Sequence, residues 1–272
     1  MAKTLQMDLP LFFPRKLKLT ERQFLIWLSA WLDTEGSIYL RTLGKTKHLQ
    51  LWISQKDVIP LKMIKEKVGG GIYRDRGTFR WGIGGYKAAS ILKDIANYLV
   101  VKRDKAINAI QYYELKAEKN RIELPLFYPR NKRLTETQFL IWLAAWLDTE
   151  GCISLQGNCN NGDSKGKERR CAITITQNDI VPLKMIQNKI GGTIYGRYGE
   201  KDKAYRWKIN GYRAVSILRK ITDYLVVKKQ KAINVIEYYE LKQAKKLTPL
   251  VNEQYRSLVN ASWETSRSAN AN

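Results

Sequence analysis

The sequence predicts an α+β fold built from two pseudo-symmetric repeats, and three observations support this prediction. Residues 19–36 and 134–151 differ at only two positions. Runs of strand-forming residues come in pairs around short turns, as they do in antiparallel hairpins. Helical segments alternate with these pairs in the order αββαββα, followed by one more helix, which predicts antiparallel sheets with helices on one face.

The repeat extends well beyond the matching helix. The segment LPLFFPR before the first copy corresponds to LPLFYPR before the second, and NYLVVKRDKAIN corresponds to DYLVVKKQKAIN near the ends of the halves. Two copies are too few for a solenoid and indicate a fused pseudo-dimer with approximate two-fold symmetry. We therefore expect a first repeat over 1–121, a second over 122–245, and a polar tail over 246–272 whose end, Ser266–Asn272, is disordered.

The elements of one half follow from local signals. Thr20 and Gln23 form a capping box before an apolar run, and Thr135 and Gln138 repeat it in the second half. The glycines and the periodicity that follow predict the remaining elements in this order: a helix over Glu21–Asp33 that ends near Gly36, strands Ser37–Leu43 and His48–Ser54 around a turn at Gly44, a helix Val58–Val68 before Gly69-Gly70, strands Ile72–Arg76 and Thr78–Ile83 around Gly77, and helices Lys87–Tyr98 and Arg103–Lys116.

The second hairpin is rich in arginine. Alternation along the sequence predicts that Arg74, Arg76, Thr78 and Arg80 share one face of it. That face is either a solvated outer surface or a nucleic-acid surface, since arginine makes bidentate contacts with guanine edges and phosphates.

The charge balance indicates a polyanionic partner. The chain carries 48 Lys and Arg against 25 Asp and Glu, a formal net charge of +23. Such an excess repels itself in a compact fold and is most simply explained by nucleic acid, with a ribosomal or thermophilic surface as the alternative.

The cysteines and the single histidine exclude several site chemistries. Cys152, Cys159, Cys171 and His48 fit neither a zinc site nor a disulfide framework, and one histidine argues against nucleases that use a histidine base. No run of 18 apolar residues predicts a membrane span, and Met1–Pro10 lacks the apolar core of a signal peptide. We expect an intracellular protein of the cytoplasm, the nucleoid or an organelle matrix.

The two copies of the apolar helix carry the chemistry. Asp33 and Glu35 stand at the C-terminal end of the first, where the helix dipole disfavours carboxylates, and the second copy repeats this pair. A divalent cation would make the acids favourable. Small residues in mid-helix would let the two buried helices approach closely and bring Glu35 together with Glu150, where one metal or a pair relieves the repulsion. The alternative is a plain helix interface whose acids cap the next loop.

The segments LSAWLDTEG (Leu28–Gly36) and LAAWLDTEG (Leu143–Gly151) resemble the LAGLIDADG motif of homing endonucleases. With the element order and the two copies, the resemblance covers nearly the whole chain. It implies saddle-shaped sheets in the DNA major groove over a long asymmetric target, motif helices at the inter-domain interface, and cleavage across the minor groove by one chain acting as a monomer. It makes Glu35 and Glu150 the metal ligands and gives Asp33 and Asp148 a mainly structural role.

The resemblance also implies further site residues. It places Gln55 and Gln177 in the active site, and Lys102 and Lys228 are the nearest candidates for its lysines, although an alignment without gaps puts Val100 and Val226 at that place. The arginines that we expect to contact DNA are Arg41, Arg74, Arg76, Arg80, Arg197 and Arg206.

These observations lead to one main hypothesis and several alternatives. The main one is an intron-encoded, site-specific DNA endonuclease in which water activated at Mg²⁺, or at another divalent cation such as Mn²⁺, attacks each scissile phosphate. An intron-RNA maturase or a non-cleaving DNA-binding protein on the same scaffold is the alternative. A transcription regulator is disfavoured because the tail contains no helix-turn-helix, and an intein-embedded enzyme because the chain starts with Met1 and ends Ala271-Asn272.

Overall fold

The computed structural model describes residues 18–43, 46–120, 122, 134–156, 169–196, 204–244 and 248–261. The first repeat contains α1 (Glu21–Thr34), β1 (Gly36–Leu43), β2 (Thr46–Gln55), α2 (Val58–Val68), β3 (Gly71–Asp75), β4 (Thr78–Gly84), α3 (Gly85–Ile95) and α4 (Arg103–Lys119). The second contains α5 (Glu136–Glu150), β5 (Gly151–Gln156), β6 (Arg170–Gln177), α6 (Ile180–Ile190), β7 (Thr193–Tyr195), β8 (Tyr205–Asn210), α7 (Gly211–Ile221) and α8 (Lys229–Gln243), and α9 (Pro249–Ala261) follows it.

The predicted α+β class and the antiparallel sheets are confirmed. Each repeat has one four-stranded sheet, ordered β1-β2-β4-β3 in the first and β5-β6-β8-β7 in the second. Every paired strand runs antiparallel to its neighbour. The helices pack on one side of each sheet, against an apolar row that includes Leu49, Leu51 and Ile53 on β2.

The motif helices begin as the sequence predicts and end slightly later. The Thr20 hydroxyl accepts a hydrogen bond from the Gln23 backbone at 3.3 Å, and the Gln23 side chain accepts one from the Thr20 backbone at 2.9 Å. At the other end α1 continues to Thr34, whose hydroxyl donates to the Ala30 carbonyl at 2.9 Å, and Glu35 is the C-cap residue. Helix α5 continues to Glu150.

Helices α1 and α5 pack against each other and join the two repeats. Their mid-helix residues Ser29, Ala30, Ala144 and Ala145 are fully buried. Small side chains at these points allow two helical backbones to approach closely. The motif helices thus form the interface between the repeats, as the sequence predicts.

A glycine turn and a tryptophan fix the other end of each sheet. The Trp81 indole N–H donates to the Gly69 carbonyl at 2.7 Å, and Trp207 donates to Gly191 at 2.8 Å. Gly69 has a φ of 77°, a left-handed conformation that favours glycine at the end of a helix. Both repeats therefore close the turn after their middle helix in the same way.

The predicted single arginine face of the second hairpin is wrong. The register pairs Tyr73 with Arg80 and Arg74 with Phe79, so Arg74 lies on the helix side of the sheet and Arg80 on the outer side. The hairpin turns through only two residues, Arg76 and Gly77, with φ values of 45° and 85°. Across such a two-residue turn, each odd-numbered residue pairs with an even-numbered one and shares its face of the sheet. Arg74 and Arg80, which are both even-numbered, therefore face opposite ways.

The segment expected to be a polar tail contains a packed helix. Helix α9 lies against α8 and β5 and buries Asn252, Tyr255 and Val259, which are spaced for one helical face. The Asn252 amide oxygen accepts from the Tyr238 hydroxyl at 3.0 Å, and Glu253 pairs with the buried Arg169 at 3.0 Å. The polar composition of the segment concealed this face.

Some predictions fall outside the described residues: the turn at Gly44, Cys159, Arg197 and the terminal Ser266–Asn272. Among the helices that the structure describes, each is too short or too polar to span a lipid bilayer.

Candidate active site at the pseudo-dyad

Glu35 and Glu150 end the two packed motif helices. The Glu35 N–H donates to the Trp31 carbonyl at 3.1 Å, and the Glu35 carbonyl accepts from the Ser54 N–H at 3.4 Å. Helix α1 therefore places Glu35 beside the C-terminal end of strand β2. Glu150 closes α5 and precedes β5 in the same way.

The two glutamates share one electrostatic site with two lysines. Burial raises the pKa of Glu35 above its usual value, the charge of Glu150 raises it further, and Lys228 and Lys102 lower it. Burial likewise raises the pKa of Glu150, which Lys102 and Lys228 lower. The charges of both lysines thus act on each glutamate, so the four groups converge at the pseudo-dyad.

Asp33 and Asp148 are engaged by the backbone. Asp33 accepts hydrogen bonds from the N–H groups of Val100 at 2.6 Å, Val101 at 3.2 Å and Lys102 at 2.8 Å. Asp148 accepts from the equivalent segment of the second repeat. Burial raises the pKa of each aspartate to about 6, against the opposing effect of these N–H groups. With their oxygens occupied, both aspartates tie the motif helix to the segment that leads into the last helix of the repeat, α4 or α8, which is a structural role.

The lysine side chains donate hydrogen bonds to the carbonyls at the C-terminal ends of the motif helices. The Lys102 ammonium donates to the carbonyls of Leu32 at 2.9 Å and Thr34 at 3.4 Å, and also to that of Asp33. Lys228 donates in the same way to the Asp148 carbonyl. A cation at a helix C-terminus neutralises the dipole and the unpaired carbonyls. The last turns of α1 and α5 contain no basic residue of their own, and this contact supplies one.

Gln55 and Gln177 are the last residues of β2 and β6, one residue beyond Ser54 and Thr176. Each side chain folds back onto its own chain: Gln55 accepts from the Lys56 N–H at 2.7 Å, and Gln177 accepts from the Asn178 N–H at 2.7 Å. The contacts within the described ranges join neither glutamine to the glutamates. Their place in the active site stays a prediction, and their side chains would have to turn to reach the glutamates.

The candidate DNA-binding arginines divide into three groups. Arg41, Arg80 and Arg206 lie on the outer sheet faces, as their pairing partners show. Arg74 lies on the helix side, at the edge strand, and Arg76 in the hairpin turn, where both are exposed. Arg197 lies outside the described residues.

Sequence reasoning missed residues that the structure places beside the glutamates. Ser54 contacts Glu35 through its N–H and Arg80 through its hydroxyl. Cys152, two residues after Glu150, lies on the outer face opposite Thr174 and within electrostatic range of Lys228 and Lys231. The sequence did contain one signal for Ser54, because a hydroxyl residue precedes the glutamine in both repeats, as Ser-Gln in one and Thr-Gln in the other.

The two carboxylates at the dyad fit Mg²⁺ better than a metal whose ligands all come from protein side chains. Among the described residues, no group of three or more His, Cys, Asp or Glu side chains could hold a metal ion. Magnesium is commonly bound through one or two carboxylates, with waters and substrate phosphates completing its octahedron. Two glutamates, Glu35 and Glu150, provide that minimal set, and the pKa of each is raised.

The fold and this acidic dyad define a class: two-repeat proteins whose packed helices end in paired carboxylates between two basic sheets. A sequence profile described as LAGLIDADG endonuclease matches residues 143–248. Residues 143–248, which make up most of the second repeat, are thus similar in sequence to the LAGLIDADG endonucleases. A probable intron-encoded endonuclease, aI2, of Debaryomyces hansenii is 36% identical over 76 residues, which is 28% of this chain and 10% of that protein. The chain thus spans about a tenth of the length of this curated relative.

Solved structures share the fold across both repeats. Meganuclease I-SmaMI bound to uncleavable DNA is 16% identical and gives a TM-score of 0.65, covering 86% of this chain and 97% of that one. LAGLIDADG meganuclease I-AabMI bound to uncleaved DNA is 17% identical with a TM-score of 0.65, covering 87% and 98%. I-SmaMI with its uncleaved target in the presence of calcium ions is 17% identical with a TM-score of 0.62, covering 89% and 98%. The two-repeat architecture is therefore that of known meganucleases.

Proposed function

We propose that the protein is a site-specific, divalent-metal-dependent endonuclease that cuts both strands of a long, asymmetric double-stranded DNA target as a monomer. The observation that carries this proposal is the convergence of Glu35 and Glu150 on one site with Lys102 and Lys228. The DNA-bound meganucleases of the same fold support it, and so does the name of the intron-encoded relative.

The outer sheet faces would bind the DNA. A net charge of +23 favours a polyanion, and β-strands fit the major groove. The two faces differ in their side chains: Arg41 stands where the second repeat has Gln156, and Trp52 where it has Thr174. Two different surfaces in one chain would read an asymmetric target without a second copy.

The dyad would carry out the hydrolysis. Glu35 and Glu150 would hold Mg²⁺ or another divalent cation such as Mn²⁺; when bound, the cation supplies charge stabilisation at the phosphate and lowers the pKa of the attacking water. Gln55 and Gln177 would turn their side chains away from their own backbones and contact the water or the phosphate. The calcium-containing complex of I-SmaMI supports the use of a divalent ion.

Each lysine would place positive charge next to one scissile phosphate. The ammonium group has three N–H donors, and Lys102 directs them at three helix-end carbonyls, of which the Thr34 contact is the longest at 3.4 Å. That bond is the first to be exchanged for a phosphate oxygen. The remaining two would keep the ammonium in place while charge develops on the phosphate.

The experiment that tests this function uses a randomised double-stranded DNA library. The protein is incubated with the library and Mg²⁺, and the cut ends are sequenced; a single recurrent site is the expected result. Ends that are equally frequent in a reaction of the Glu35→Gln/Glu150→Gln variant would reveal a contaminating nuclease. Binding without cutting, in Mg²⁺ and in Mn²⁺, would contradict the proposal and favour an intron-RNA maturase or a non-cleaving DNA-binding protein.

A further inference from the structure

Arg80 is the most firmly held arginine on the outer face of the first sheet. Its Nη2 pairs with an Asp75 carboxylate oxygen at 2.7 Å, and its Nε donates to the Ser54 hydroxyl at 3.3 Å. Its guanidinium carbon lies over the Trp52 ring, 5.6 Å from the centroid. The Arg80 side chain is nevertheless 42% exposed. These contacts, with Tyr73, define what we call the Arg80 cluster: Trp52, Ser54, Tyr73, Asp75 and Arg80.

The backbone fixes the tryptophan beneath this arginine. Trp52 is paired with Gly82 across the sheet, and a Cβ atom at Gly82 would stand 2.4 Å from the indole ring. The ring therefore lies on the bare backbone of β4, which only glycine permits. Tyr73 flanks it, with ring centroids 6.5 Å apart. Arg80 thus rests on a rigid aromatic surface, and an arginine held in this way loses little conformational entropy on binding.

The cluster is adjacent to the active site. Ser54, which binds Arg80, donates its backbone N–H to the Glu35 carbonyl. In the proposed DNA complex, Arg80 would therefore face the inner part of the half-site, next to the position of cleavage. Of the five N–H donors of its guanidinium, Asp75 and Ser54 take two, and three remain.

The second repeat has the arginine without its support. Arg206 pairs with Tyr195 and Thr176, as Arg80 pairs with Tyr73 and Ser54. Thr174 and Lys208, however, replace the Trp52 and Gly82 pair. The replacement is concerted, because an indole needs glycine opposite and a threonine leaves room for lysine. Arg206 is exposed, and Thr174 stands where the first repeat has the indole.

We propose that Arg80 reads one guanine in the inner part of the first repeat's half-site, and that Trp52 and Asp75 are positioning residues that hold its guanidinium for this contact. The inference rests on the proposed DNA-binding function. The outer end of the guanidinium, with its remaining N–H groups, matches the two acceptors of guanine, O6 and N7, in the major groove. Asp75 orients that end and the indole sets its height above the sheet.

The test measures base preference at each target position by selection of binding sites from a DNA library without Mg²⁺, so that cleavage does not interfere. The wild-type protein should prefer guanine at one inner position. Arg80→Ala should reduce that preference by about 5- to 150-fold, the range for one bidentate base contact. Asp75→Asn and Trp52→Thr should weaken the same preference several-fold, by more than either variant lowers the affinity for targets that lack this guanine. A thermal midpoint for each variant establishes folding, and Asp75, which is 41% exposed, tolerates substitution in any case.

Two variants sharpen the interpretation. Gly82→Ala changes no polar side chain but displaces the indole, so it should act in the same direction as Trp52→Thr. Arg206→Ala is the matched control in the second repeat and should change preference only in the other half-site. A guanine preference that survives Arg80→Ala, or one that Asp75→Asn and Trp52→Thr both leave unchanged, would overturn the inference and leave the proposed function standing. A wild-type protein that binds no DNA would overturn both.

Discussion

Replacement of Lys102 with methionine tests the lysine at the end of the motif helix. The ammonium group donates to the Leu32 and Thr34 carbonyls at 2.9 and 3.4 Å, and also to that of Asp33. A hydrogen bond from a charged group contributes about 1.5–3 kcal/mol, and a cation at a partly buried helix C-terminus contributes up to about 2 kcal/mol. Burial, which lowers the pKa of Lys102, offsets part of this gain. We expect a net loss of about 1–2 kcal/mol, or about 2–8 °C in the thermal midpoint.

The catalytic consequence should be confined to one strand. Since each lysine serves the end of one motif helix, Lys102→Met should slow cleavage of one DNA strand far more than that of the other, and Lys228→Met should favour the opposite strand. Strand-resolved gels on an end-labelled target measure both rates. The matched control is Lys119→Met, which removes an exposed cation from the far end of α4, the helix that begins after Lys102, and should leave both rates and the thermal midpoint nearly unchanged. If either active-site variant cuts the two strands at equal rates, the catalytic role of the lysines is wrong.

Three further predictions concern charge, pH and the outer sheet face. The logarithm of DNA affinity should fall with the logarithm of salt concentration, with a slope of about −0.9 for each phosphate neutralised, and a flat dependence in a filter-binding titration would contradict the basic binding surface. The pKa values of Glu35 and Glu150 are raised in the folded state, so the ionisation of these two carboxyl groups opposes folding as the pH rises. Because Mg²⁺ binds the ionised groups, it should raise the thermal midpoint more at about pH 7.5 than at about pH 5. An equal shift at both pH values would argue against these ligands. In a Cys159→Ser background, the exposed Cys152 should react with iodoacetamide and be protected by bound DNA, whereas Cys171, buried with its pKa raised to about 12, should not react in either state, and labelling of Cys152 unaffected by DNA would place the DNA elsewhere.

Local sequence signals predicted most of the fold because each acts over a few residues. The capping box at Thr20, the glycine after Val68 and the alternation along β2 each determine their own element and gave nearly correct bounds. The duplication then predicted the second repeat from the first.

Features that depend on pairing or on distant contacts were not predictable in the same way. The face of Arg74 depends on the length of the hairpin turn, which shifts every residue beyond it to the other side. Helix α9 is stabilised by contacts with Tyr238 on the preceding helix and with Arg169, which lies far away in the chain, and its own composition gave no sign of them.

The candidate site was predictable in its acids and less so in its support. Two copies of a helix ending in carboxylates indicate Glu35 and Glu150 directly. That Lys102 caps the helix, and that Ser54 links Glu35 to Arg80, depends on tertiary contacts between segments with no common sequence signal.

The most direct test of the central claim separates DNA binding from cleavage in the glutamate variants. Glu35→Gln, Glu150→Gln and the double variant keep the shape of the side chain and remove its charge. We expect folded proteins that bind the selected target with wild-type affinity in Ca²⁺ and, in Mg²⁺, cut it slower by orders of magnitude. Cleavage by the double variant at the wild-type rate would contradict the assignment of Glu35 and Glu150 as the metal-binding carboxylates.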